Sequence, residues 1–355
     1  MATALSRRGF LAMGGGVGAA ALLAACGGGA SGGGGAAASG RITARCWGGV
    51  WEEALRVVCP PFTSRSGVEV LNDPGSDTVQ LLTQKPGQYD LAWLIGNEAA
   101  RGFETGVLEA IDTSRIPKFG GIVKRLSEGQ TRDGKVSAVP ISYTASGILY
   151  NPDKVPFEVT SWEDLWRPEF KGQVAIQNAP SIGGLFLVFT GARLFGNGPD
   201  DYEAGWQALE RLKDNVQFLF NTSTDGVNKL AGGSVAAVVT IADQGIPLRS
   251  RGIETVVPSE GSTWSVQNIT VPAAAKNKDA VYDFINYMLE DATQIEWAKN
   301  GKAAPASTDV TLPGDVAGNL VETPEVADSL WPIDWFEFGA NITEWTTRWQ
   351  RIFGS

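Results

Sequence analysis

Val136-Ser137-Ala138-Val139-Pro140-Ile141-Ser142-Tyr143-Thr144-Ala145-Ser146-Gly147-Ile148-Leu149-Tyr150 is an extended, largely apolar run with β-branched and aromatic residues. At roughly 3.3 Å per residue it is long enough to cross from one lobe of a protein to another. It is read as a hinge strand. Side chains alternate along a strand, so one set drawn from Tyr143, Thr144 and Ser146 must face the space between the lobes, and Tyr143 is the preferred contact of the three.

Working outward from this run, both flanks alternate strand with helix. Ile42 to Trp47 predicts a strand, Gly48 and Gly49 a tight turn, and residues 50 to 59 a helix. Val68 to Leu71 predicts a strand, 75 to 84 a helix, and Tyr89 to Leu94 a buried strand ending at Gly96 and Asn97. Beyond the hinge run, Ser161 caps a short helix, Gln173 to Gln177 is a strand, and Ser181 begins a helix through Phe195. Residues 201 to 213 follow as a helix, 216 to 220 as a strand, 224 to 231 as a helix and Val235 to Thr240 as a strand. Gln267 to Val271 reads as a return strand, and residues 278 to 290 and 291 to 299 as helices.

Such alternation implies an α/β fold with a mostly parallel sheet covered on both faces. A first lobe of residues 41 to 147 and 268 to 310 is interrupted by a second of 148 to 267, and residues 311 to 355 pack on the lobes. This two-lobed, type II arrangement with a discontinuous first lobe belongs to hinged binding proteins. The ligand site then falls outside the carboxyl ends of the strands. Those ends hold Trp47, Gly48, Gly49, Asn97, Glu98, Asn178, Ser181, Asn221, Ser223, Thr224, Thr240 and Asp243; Trp264 and Gln267 lie on or beside the return strand.

The chain opens with Ser6-Arg7-Arg8-Gly9-Phe10-Leu11 and an apolar Ala/Leu/Gly stretch to Ala25. This is an export signal whose paired arginines favour the twin-arginine route. About fourteen apolar residues fall short of the roughly 20 that span a bilayer. Leu23-Ala24-Ala25-Cys26 resembles the lipobox of bacterial lipoproteins, which makes Cys26 the lipidated residue of a chain cut after residue 25. Residues 26 to 40 are almost all Gly, Ala and Ser, a flexible tether to the membrane face.

The chain has no histidine. A Ser/His/Asp triad, His-ligated zinc and histidine general bases are excluded together, and no cofactor or metal is expected. Loss of the signal removes Arg7 and Arg8 and no acid, which moves the formal charge from −10 to −12. A surface that acidic does not hold nucleic acid. Cys46 and Cys59 are expected as two buried free thiols, since about 15 Å of helix separates them and a disulfide tolerates roughly 7 Å between Cα atoms.

Ser161-Trp162-Glu163-Asp164-Leu165-Trp166-Arg167-Pro168-Glu169-Phe170-Lys171-Gly172 resembles the segment that enters the second lobe in the extracellular solute-binding proteins of ABC transporters, in particular the spermidine/putrescine-binding group. Trp47-Gly48-Gly49 with Trp51-Glu52-Glu53-Ala54, Tyr89-Asp90-Leu91, Tyr150-Asn151, Pro272-Ala273-Ala274-Ala275-Lys276-Asn277 and Phe284-Ile285-Asn286 carry the likeness across most of residues 41 to 300. It implies a monomeric protein that captures a small solute between its lobes and delivers it to an ABC permease, with no catalysis. Polyamine binders of this family carry an aspartate five residues before the proline matching Pro272, where this chain has Gln267, and another acid near Asn178. Both ammonium partners are neutral amides here, and the strand end near Thr240 lacks the family's tryptophan.

Several residues admit two readings. Trp47 either stacks on ligand or plugs a sheet edge. Glu98 and Asp243 either meet an amine or are ordinary acids at a helix start and a turn. Ser181 with Gly183 and Gly184 either receives a carboxylate at a helix start or simply caps it. Trp331, Trp335, Trp345 and Trp349 are read as core. The function expected is capture of a small polar, nitrogen-containing solute; a polyamine is the alternative, and a secreted carboxylate-based enzyme the rival of another class.

Overall fold

The computed structural model describes residues 40–354. The signal peptide, Cys26 and the tether up to residue 39 lie outside the described residues. Gly40, read as the end of the tether, is instead the first residue of strand β1 (Gly40–Cys46), in which Ile42, Ala44 and Cys46 point inward at period two.

Helix α1 (Val50–Ser66) runs past Pro60 and Pro61, where the sequence suggested a stop near 59. Each proline frees a carbonyl one turn earlier, at Arg56 and Val57. Both of those residues are exposed, so water satisfies them and the helix continues. Strand β2 (Val68–Pro74), helix α2 (Thr78–Gln84), strand β3 (Leu91–Ile95) and helix α3 (Gly96–Glu104) complete the first parallel group. A short helix α4 (Lys124–Glu128) and a ribbon of β4 (Thr131–Arg132) with β5 (Lys135–Val136) lead into β6 (Val139–Tyr150), the predicted hinge run.

The second group comprises β7 (Val174–Gln177), α5 (Ile182–Phe195), α6 (Tyr202–Leu212), β8 (Val216–Phe220), α7 (Ser223–Ala231) and β9 (Ala237–Ile241). The chain returns through β10 (Glu254–Val256) and β11 (Trp264–Thr270). It then forms α8 (Lys278–Met288), α9 (Asp291–Gly301), β12 (Ala304–Pro305), α10 (Gly314–Ala317), α11 (Pro324–Ser329) and α12 (Trp335–Phe353).

The strands run in the order β2-β1-β3-β11-β6-β9-β7-β8. β2, β1 and β3 are mutually parallel, as are β9, β7 and β8. In the middle, β11 and β6 pair antiparallel with each other and with both groups. β6 pairs with β11 through residues 139–145 and with β9 through 146–150. β12 takes the edge of β6 opposite β11, at Ser142 and Tyr143, so β12 and β9 follow one another along that edge.

The motif residues have structural work of their own. Asp90 Oδ2 accepts the Thr43 N–H at 2.9 Å, and its Oδ1 accepts those of Lys276 and Asn277 at 3.1 Å, tying β1 to the turn before α8. Ser161 and Asp164 form a capping box, and the Trp162 Nε1–H donates to the Gly261 carbonyl at 2.8 Å. Cys46 and Cys59 are free and buried; burial pushes both thiols up, Cys59 to about 12.

Candidate functional site

The predicted residues fall at the carboxyl ends of the two parallel groups and on the central pair of strands. Trp47, just past β1, is half-buried, with its ring 6.0 Å from Trp51. Trp51 stacks on Trp297 at 5.7 Å, and Trp297 on Trp93 at 6.0 Å, so Trp47 is the outer rung of an aromatic ladder running into the core. Gly48 and Gly49 beside it are exposed.

Asn97 and Glu98 occupy the first turn of α3. Asn97 is 9% exposed, and its Oδ1 has no hydrogen-bond partner. Burial pushes the Glu98 carboxyl up, opposed by the Ile95 backbone and by Arg101.

Around the second group, the Asn178 N–H donates to the Phe220 carbonyl at 2.8 Å, joining the ends of β7 and β8. The Thr240 hydroxyl donates to Ser223 Oγ at 3.0 Å, bringing in the end of β9. Asn221 and Thr224 are exposed on the same edge. Asn178 Oδ1 accepts the Trp349 Nε1–H at 2.9 Å, so α12 seals this corner.

The start of α5 is packed closely. A Cβ at Gly183 or Gly184 would collide with Gln177, with its side chain at Gly183 and its carbonyl at Gly184. The glycines permit α5 to press against β7. Ser181 precedes α5 without making a side-chain cap.

On the central strands, Ser142 donates to Gln267 Oε1 at 2.9 Å, and Trp297 Nε1–H donates to the Ser142 hydroxyl at 2.9 Å. Gln267, 4% exposed, is therefore the end of a relay from the aromatic ladder. Trp264 is fully buried, its Nε1–H donates to the Trp331 carbonyl at 2.7 Å, and its ring meets Trp335 edge-on at 5.4 Å. It offers no surface to a ligand, so it belongs to the core and not to the site.

Trp335, at the start of α12, is fully buried between Phe186, Phe338 and Trp264. Its indole lies where a Cβ on Gly96 would be. Trp331, Trp345 and Trp349 are buried too, as the sequence suggested of all four.

Tyr143 lies on the wall of a cavity of about 690 Å³, shared with Ala304, Ser307, Thr308 and Glu322. Burial raises the tyrosine's pKa, helped by the negative field of Glu322, Asp243 and Asp328. Asp243, 6% exposed, accepts the Val321 N–H at 2.8 Å through Oδ1. Glu322, 9% exposed, accepts the Ala145 N–H at 2.6 Å through Oε1. That donor falls in the gap between β12 and β9 along their shared edge of β6, and the glutamate fills the gap. The two carboxyls are close enough to perturb each other's titration, while Asp243 Oδ2 and Glu322 Oε2 are buried without a hydrogen-bond partner. Burial raises Asp243 to about 6, and burial together with the Asp243 charge raises Glu322 well above the ordinary range.

Glu322 was not among the residues predicted from sequence. It sits in Asn319-Leu320-Val321-Glu322-Thr323-Pro324, an acid before a turn with nothing to distinguish it. Only the fold brings it to β6.

The sequence model of the bacterial extracellular solute-binding proteins matches residues 59–326. The spermidine/putrescine-binding periplasmic protein of Salmonella typhimurium is 28% identical over 282 residues, covering 76% of this chain and 78% of that one. An ABC transporter structure from Clostridium perfringens superposes with a TM-score of 0.78 at 28% identity, over 88% of this chain and 99% of that one. The spermidine/putrescine substrate-binding protein of Streptococcus pneumoniae has the same fold, with a TM-score of 0.72 at 18% identity, over 89% of this chain and 100% of that one. The α/β fold is that of periplasmic binding proteins.

Proposed function

We propose, from the premise that the chain belongs to the bacterial extracellular solute-binding proteins, that it captures a small polar, nitrogen-containing solute between two lobes. It is a substrate-binding protein of an ABC importer, and such a protein delivers its solute to a membrane permease. The observation that carries the lobed reading is β6, one strand paired with β11 along its first half and with β9 along its second. A hinge there supports a first lobe of residues 41–147 and 268–310, a second of 148–267, and a C-terminal segment across both.

The solute site proposed uses Trp47, Asn97, Glu98, Tyr143, Asn178, Ser181, Ser223, Thr240, Asp243 and Gln267, with Gly48, Gly49, Asn221 and Thr224 at its exposed rim. Closure follows from differential affinity, because a ligand shifts the open and closed populations only as far as it binds the closed one better. The relatives are binding proteins, and binding without chemistry is the reading here; conversion of any bound solute by the purified chain would overturn it.

Simple polyamines suit this site poorly. A charge-assisted hydrogen bond contributes about 1.5–3 kcal/mol, whereas the amide oxygens of Gln267 and Asn178 already accept from Ser142 and Trp349. Putrescine and spermidine are therefore expected to bind more weakly than micromolar in a calorimetric titration. Sub-micromolar binding of either would return the protein to the polyamine group.

Among the described residues no helix is long and apolar enough to cross a membrane, and the Salmonella relative is periplasmic. The paired Arg7-Arg8 and Leu23-Ala24-Ala25-Cys26 support export by the twin-arginine route and a lipid anchor on Cys26. Cys26→Ser is expected to abolish incorporation of labelled fatty acid while the melting temperature stays unchanged. Equal labelling of wild type and variant would remove the anchor.

A further inference from the structure

We infer that Gln267 meets the solute as a hydrogen-bond donor, that Ser142 and Trp297 fix this polarity as positioning residues, and that the solute turns an oxygen acceptor, a carboxylate or carbonyl, toward β11. This rests on the solute-capture reading above and names the chemistry of one end of its ligand. An indole N–H can only donate, and that of Trp297 donates to the Ser142 hydroxyl at 2.9 Å. The hydroxyl keeps its own proton to give, and gives it to Gln267 Oε1 at 2.9 Å. With the amide oxygen so engaged, the NH2 group is what Gln267 has left to offer. A reversed amide would aim its N–H groups at Ser142 and leave the hydroxyl proton without that acceptor. Ser142 and Trp297 are fully buried, so no water reaches either to undo the relay.

Among the described residues Gln267 Nε2 has no acceptor, and unlike Asn268 Oδ1 beside it in sequence it is not closed off from solvent. Gln267 pairs with Ile95, the last residue of β3, so the amide sits at a strand end, two residues from the level of Asn97. Behind it, Trp297 stacks on Trp51 at 5.7 Å, and Trp51 lies 6.0 Å from Trp47, the half-buried outer rung just past β1. The donor thus belongs to the carboxyl ends of β1 and β3, where α/β sheets hold their ligands. A donor at this depth that faces a second donor stays unmet, which is costly. An ammonium brings only donors, whereas a carboxylate or carbonyl oxygen brings only acceptors. Gln267 therefore selects by hydrogen-bond polarity and not by charge.

The test is calorimetry on the full chain near neutral pH with two series of matched length: putrescine, 4-aminobutyrate and succinate, then cadaverine, 5-aminopentanoate and glutarate. Each series passes from two donor ends, through one of each, to two acceptor ends. In at least one series a carboxylate-bearing member is expected to bind at least about tenfold more tightly than the diamine. Ser142→Ala frees the Gln267 amide to turn over, so this preference is expected to fall about tenfold, and Ser142→Thr, which keeps a hydroxyl, is expected to restore it. A residue that only filled space would change both affinities and leave their ratio alone. Gln267→Glu presents a bare acceptor and is expected to reverse the preference; it decides the matter if Ser142→Ala does not fold. A diamine that binds most tightly in both series, no binding by any carboxylate, or a ratio unchanged in these variants would overturn the inference. Binding of the diamines alone would leave solute capture standing and remove the donor polarity alone.

Discussion

Trp335→Ala is expected to lower the stability of the folded chain by about 4 kcal/mol, at the upper end for large-to-small changes in a core. The indole is fully buried, meets Trp264 edge-on at 5.4 Å, and lies within 6.1 Å of the Phe186 ring and 5.8 Å of the Phe338 ring. Its removal takes away those ring contacts and leaves a void that the rigid flank of α3 cannot fill. Gly96→Ala attacks the same contact from the other side, since its methyl would fall inside the indole. The double variant should be less destabilised than the sum of the two, because alanine at 335 makes room for the new methyl. Urea unfolding followed by circular dichroism measures all three. A loss below about 1 kcal/mol for Trp335→Ala would mean that α12 is not anchored through this ring.

The second large effect is on the pH dependence of stability. Asp243 and Glu322 both titrate at higher pH folded than unfolded, so the folded chain binds more protons across that interval. The stability linked to them is full below the ordinary carboxyl range, near about 4, and is lost as pH rises through about 6 for Asp243 and through the raised range of Glu322. For Asp243 alone the loss is about 3 kcal/mol, and Glu322 adds to it. In Glu322→Gln the glutamate's own titration is gone, while burial still holds the Asp243 carboxyl above the ordinary range. The stability of the variant relative to wild type should therefore rise with pH by the part linked to Glu322, while both proteins lose the part linked to Asp243 near about 6. Parallel curves for the two proteins would refute the linkage.

Period two in β1 and the helix start after Gly48-Gly49 were legible because they depend on neighbours in sequence. The antiparallel centre of the sheet was not, because nothing within Trp264–Thr270 states that β11 will pair with both β3 and β6. The end of α1 was misjudged because proline terminates a helix only where the freed carbonyls lack another partner, and exposure at Arg56 and Val57 is a tertiary property.

Site residues divide in the same way. Asn178, Ser223 and Thr240 lie at neighbouring strand ends, since a parallel sheet gathers its carboxyl ends on one edge. Gly183-Gly184 suggested an open anion cradle, yet the same pair serves close packing against Gln177, and composition cannot separate the two. Glu322 reaches Ala145 across a separation of 177 residues, beyond any local pattern.

The partners of β6 also set when the chain can finish folding. Its residues 139–145 wait for β11 at 264–270, for β12 at 304–305 and for Glu322, all made much later on the ribosome. Until then the first half of this middle strand has bare N–H and C=O groups along its edges, the arrangement that recruits other chains. Non-local pairing of this kind is slow and aggregation-exposed. A nascent chain shorter than about 320 residues therefore has reason to be held by a chaperone, and a stop codon before β12 should yield inclusion bodies rather than a smaller binding protein.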